Sequence, residues 1–180
     1  MWTPAPRLQW SEMKPSDNVF VSAVPHEAGH VLVAYCFHVA VRRIAYRIGS
    51  ESEGRIMSEI AVPSRVSHEL TDGERQAHCL IAAGGMAGEL VATGGFDRAN
   101  LSPLSADQKI LATLTSTDIT GFLQPAQEII SRNKRAFDSL CAATRERYPK
   151  VREQIISSRR LGLYPLLSKE DLDKLLGGVT

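Results

Sequence analysis

The pentapeptide His26-Glu27-Ala28-Gly29-His30 constrains this chain more than any other stretch. The apolar run Val31-Leu32-Val33-Ala34-Tyr35 follows at once, so the two histidines are embedded in apolar sequence rather than displayed. On a helix, residues four apart share a face, with Cβ atoms roughly 5–6 Å from each other. Two imidazoles held that way can grip one metal ion from the same side. Glu27 lies about 100° round the axis from His26. It is badly placed to be a third ligand from that face and well placed to reach a water on the metal. Gly29 costs a helix about 1 kcal/mol relative to alanine. Such a cost implies that something approaches the backbone closely there.

This is the His-Glu-x-x-His arrangement of zinc hydrolases. A catalytic zinc takes three protein ligands and keeps one position for water. A third histidine six residues beyond His30 would mark the metzincin pattern. That position is Cys36. The remaining candidates are Glu69, Glu89, Asp97, Asp107, His68 and His78, and spacing does not choose among them.

The rest of the chain sets bounds on this reading. Its 180 residues fit one domain with a real core. Lys plus Arg number 21 against 20 Asp plus Glu, a balance that points to neither nucleic acid nor an acidic membrane surface. No apolar run reaches the length of a membrane span. Residues 1–18 hold three prolines and no apolar core region. They read as an arm or linker before a domain over 19–180, with Trp2 and Trp10 docking on the body. Cys36, Cys79 and Cys141 are odd in number and widely spaced. They read as reduced thiols of a cytoplasmic protein.

Periodicity places the active helix over about 21–37, with Pro25 tolerable only near its start. Val39 to Ile48 and Arg55 to Val62 read as two strands of an antiparallel hairpin. Ser67 to Ala92 is helical, with Thr71 and Glu74 forming a capping box. Its Ala83-Gly84-Gly85-Met86-Ala87-Gly88 segment predicts a helix packed very closely on a neighbour. A helix from Pro103 or Ser105 to about Thr117 carries Asp107 in its first turn. Gln124 to Tyr148 reads as one long amphipathic helix. A short helix starts at Ser168, with Asp171 completing its capping box, and ends near Gly177.

Several of these stretches together resemble the peptidase domain of FtsH-type proteases, the M41 metallopeptidase family. The pentapeptide looks like the family's motif. Gly54-Arg55-Ile56-Met57 resembles the strand that follows a glycine. Ala83 to Leu90 is similar to its small-residue helix. Leu101 to Leu111, with Ser105-Ala106-Asp107, resembles the segment whose aspartate is the third zinc ligand. Asn133 to Leu140 and Leu166-Leu167-Ser168-Lys169-Glu170-Asp171-Leu172 resemble the closing helices. The likeness spans roughly Phe20 to Leu176. Pro25 stands where the family carries an aromatic residue.

The resemblance implies a mainly α-helical (α+β) domain with a small β-hairpin beside the active-site helix. It implies Zn2+ held by His26, His30 and Asp107, with Glu27 as general base and Glu89 as fallback ligand. The substrate would be an extended polypeptide, cut as an endopeptidase cuts, and laid along Gly54, Arg55, Ile56 and Met57. FtsH-type proteases carry a membrane anchor and an ATPase before this domain. These 180 residues hold neither, nor any Gly-x-x-x-x-Gly-Lys-Ser/Thr sequence, so ATP-independent action is expected. A separately encoded ATPase and a homo-oligomeric state stay open as partners. Two further readings stay open as well. One is a peptidase specific for a single partner protein, such as a repressor, with Glu89 as third ligand. The other is a non-catalytic, zinc-stabilised interaction module.

Overall fold

A computed structural model describes residues 17–48, 54–61, 70–94, 106–115 and 119–179. The element order is α1 (Asp17–Cys36), β1 (Val41–Ile48), β2 (Gly54–Ile60), α2 (Asp72–Thr93), α3 (Ala106–Leu114), α4 (Thr120–Arg132), α5 (Lys134–Ser158), β3 (Gly162–Ser168) and α6 (Lys169–Leu176). The protein is mainly helical, with one small antiparallel sheet. Of the proposed arm, residues 1–16 lie outside the described residues, and Asp17 and Asn18 already belong to α1.

α1 is the central helix. Val24, Ala28, Val31, Leu32, Val33 and Ala34 are all essentially buried, so the helix is covered on every side over the turn 31–34. It packs against α2, and the contact is made by glycines. A side chain on Gly29 would run into the Gly84 carbonyl, and one on Gly88 would run into the Pro25 carbonyl. The two backbones therefore meet directly, which accounts for the glycines that helix propensity would reject. α1 also starts earlier than the proline rule suggests. Pro25 lies inside it, where the ring removes one ladder hydrogen bond.

α2 begins with the expected capping box. Thr71 accepts from the Glu74 backbone N–H at 3.2 Å, and Glu74 accepts from the Thr71 N–H at 2.8 Å. It ends at Gly94, whose φ of 72° is left-handed, the usual glycine helix stop. The predicted long helix over 124–148 is two helices. The chain breaks at Asn133 (φ −103°, ψ 27°), which separates α4 from α5, and α5 then runs on through Pro149 to Ser158.

The hairpin is present, and a third strand extends it. The sheet order is β2-β1-β3. β1 is central and contributes Ile44, Ala45, Tyr46 and Ile48 to the core. The β1–β2 register pairs Ile44 with Ser58, Tyr46 with Ile56 and Ile48 with Gly54. Tyr148 of α5 packs edge-on against Tyr46, with ring centroids 5.4 Å apart. β3 contains Pro165, a residue that argues against a strand unless the strand is an edge, and β3 is an edge. α6 follows with the expected Ser168–Asp171 capping box. Among the described residues, no helix is long and apolar enough to cross a membrane.

Candidate metal centre

One helical turn of α1 brings His26 and His30 together, and the first turn of α3 brings Asp107 to them. His26 Nε2 lies 3.1 Å from His30 Nε2 and 3.1 Å from Asp107 Oδ2. His30 Nε2 lies 3.4 Å from the same carboxylate oxygen. A tetrahedral zinc with ligand bonds of about 2.0–2.2 Å spaces its ligands about 3.3–3.6 Å apart. The His30–Asp107 separation lies within that span, and the other two fall about 0.2 Å short of it.

The far side of each ring fixes its tautomer. His26 Nδ1 donates to Glu89 Oε1 at 2.6 Å, and His30 Nδ1 donates to the Ile81 carbonyl at 2.6 Å. Carboxylates and carbonyls only accept, so each neutral ring carries its proton on Nδ1 and turns a lone pair inward from Nε2. Two lone pairs and a carboxylate then converge with no donor among them. With both rings neutral such a cluster could hold a cation, and one second partner behind each histidine is the usual support of a metal ligand. His26, His30 and Asp107 are the group of the described residues able to hold a metal ion.

The electrostatics agree. Burial depresses the His26 imidazole, but the hydrogen-bonded carboxylates of Asp107 and Glu89 outweigh it and raise His26 to about 10. Burial likewise opposes charge on His30, and Asp107 outweighs it. Asp107 meets the opposite balance: burial favours its neutral form, while the two histidines hold it far below the ordinary carboxylate range. The three groups together stabilise positive charge between them.

α2 leaves room for this cluster at Gly85. A Cβ there would come within 2.5 Å of both His26 Nε2 and His30 Nε2. The two nitrogens therefore meet in the space that a side chain would fill.

Glu27 is held apart from these three groups. Its Oε2 accepts two hydrogen bonds from Ser58 of β2, from the backbone N–H and from the hydroxyl, each at 2.7 Å. Since the Ser58 N–H points to α1, it points away from β1. In an antiparallel strand the N–H and C=O of one residue point the same way, and alternate residues repeat it. Gly54, Ile56 and Ser58 thus turn their backbone groups to the outer edge of β2, while Arg55 and Met57 turn theirs to β1. The outer edge runs beside the active helix.

The residues singled out from sequence separate cleanly here. His26, His30 and Asp107 converge. Glu89 is buried behind His26, on the ring nitrogen away from the cluster, where it orients the ring. His78 sits on α2 outside the cluster. Glu69, Asp97 and His68 lie outside the described residues. Sequence reasoning missed Gly85, Ser58 and the Ile81 carbonyl. Gly85 carried a signal, being a costly residue in mid-helix; Ser58 and the carbonyl carried none. No family model matches the chain, and no curated protein matches it either.

Proposed function

We propose that the chain is a zinc-dependent endopeptidase of the FtsH type, acting on extended polypeptides. The observation that carries the reading is the convergence of His26 Nε2, His30 Nε2 and Asp107 Oδ2, with Glu27 tethered beside them on the same helix. These three residues would hold the metal. When bound, zinc supplies Lewis acidity towards a carbonyl and a lowered pKa for water.

The chain's own groups supply the rest. Glu27 accepts a proton from the attacking water at its carboxylate and returns it to the leaving amine, so it ends unchanged. Glu89 and the Ile81 carbonyl keep both Nε2 lone pairs aimed inward. The outer edge of β2 offers the backbone of Gly54 and Ile56 to an incoming strand, with Arg55 exposed and Met57 half-buried on the flanks. Such strand addition needs a substrate whose own backbone hydrogen bonds are unmade. The free thiols of Cys36, Cys79 and Cys141 support a reducing, cytoplasmic setting.

The test is direct. Purified protein loaded with zinc is given an unfolded, casein-like chain, with Glu27→Gln as control. Cleavage by the wild type, lost on chelation and absent in Glu27→Gln, supports the reading. Tight zinc binding with no cleavage of any unfolded chain favours the interaction module.

A further inference from the structure

Ser58 spends both of its donors on one oxygen of Glu27. The N–H and the hydroxyl each lie 2.7 Å from Oε2, and Glu27 Oε1 has no hydrogen-bond partner among the described residues. We propose that Ser58 is a positioning residue that locks the Glu27 carboxylate and leaves Oε1 as its proton-accepting atom. The proposal rests on the peptidase reading above.

The fold makes this clamp rigid. Ser58 pairs with Ile44, and Ile44 is fully buried at the centre of the sheet. Its N–H faces outward, so β2 lends the donor without breaking its ladder to β1. A glutamate free to rotate loses side-chain entropy when it is fixed. Here folding fixes it, and none of that cost falls on the reaction. Two donors on one oxygen also define the plane of the carboxylate, which one donor would not.

The clamp also sets where an added strand must stop. The outward N–H of Ser58 is already engaged by Glu27, so a peptide on the β2 edge finds no donor there. Its backbone leaves the edge beside the general base. The residue that positions Glu27 thus also aligns the substrate with it.

The test uses the full chain. Ser58→Ala removes the hydroxyl and keeps the N–H. We expect kcat to fall about tenfold, the size of one lost hydrogen bond to a charged group, with KM and zinc affinity unchanged. Ser58→Thr restores the hydroxyl and should restore kcat. Independently of activity, the Ser58 amide should be protected from hydrogen exchange in the wild type and lose that protection in Glu27→Ala. Wild-type kcat in Ser58→Ala, or failure of Ser58→Thr to rescue, overturns the positioning role. An amide equally protected without Glu27 overturns the clamp itself. A wild type that cleaves nothing overturns the peptidase reading and the role with it, while the amide measurement still decides the contact.

Discussion

Glu89 holds His26 from behind. Its Oε1 lies 2.6 Å from His26 Nδ1, across the ring from the Nε2 that faces Asp107. A carboxylate in that place keeps the tautomer and the ring orientation, and it makes the inward-facing nitrogen more basic. Asp107 and Glu89 therefore do different work, although both are acids within reach of one histidine.

This difference is measurable. On the proposed reading Asp107→Ala removes a ligand and should abolish stable zinc retention. Glu89→Ala removes only support, and zinc affinity should fall about 10–100-fold. Metal content after dialysis and competition with a calibrated chelator gives both values. If Asp107→Ala keeps zinc at wild-type affinity, Asp107 is not the third ligand.

Glu27→Gln separates metal binding from chemistry. The amide keeps the size of the side chain and can still meet Ser58 through its oxygen, but it does not accept a proton. Hydrolysis should fall by roughly 10²–10⁴, the usual worth of general-base help, with zinc content unchanged. Wild-type rates from the purified variant would remove Glu27 from the mechanism.

The glycines of the α1–α2 contact should respond in different ways. Gly29→Ala drives a Cβ into the Gly84 carbonyl, so two backbones must separate. Overpacking of this kind costs about 1–3 kcal/mol, seen as a lower melting temperature with or without zinc. At Gly85 a new Cβ meets only the two imidazole rings among its nearest neighbours, and alanine gains about 1 kcal/mol of helix propensity. Gly85→Ala should therefore lose zinc affinity while lowering the metal-free melting temperature less than Gly29→Ala does. Equal effects on stability and on metal binding at both positions would contradict this division.

How much of this could be read in advance follows from the range of each interaction. His26, Glu27 and His30 are legible because one helical turn fixes their relation. The capping boxes at Thr71 and Ser168 are legible for the same reason. Asp107 is 81 residues from His26, so only a family resemblance could propose it. The break at Asn133 is hidden because the apolar pattern continues through it. There the Asn133 side chain donates to the Ile129 carbonyl at 3.1 Å and closes α4 from within. β3 is hidden by Pro165, whose missing N–H matters less on an edge strand. Ser58 is a plain serine in a strand until the fold lays α1 beside it.

Substrate state gives the last expectation. On the proposed reading β2 engages backbone presented in extended form along Gly54 and Ile56. A stably folded protein has already paired nearly all of its buried N–H and C=O groups internally, so it offers few such segments. Cleavage should therefore track the unfolded fraction of the substrate. A destabilised variant of a small domain should be cut in proportion to its unfolded population, and a bound ligand that stabilises the domain should protect it. ATP should leave the rate of the isolated 180-residue chain unchanged, since its sequence holds no Gly-x-x-x-x-Gly-Lys-Ser/Thr motif. The decisive measurement compares initial rates on folded and unfolded forms of one substrate at equal concentration. Equal rates would mean that the site reads exposed folded surface, as a peptidase dedicated to one partner would.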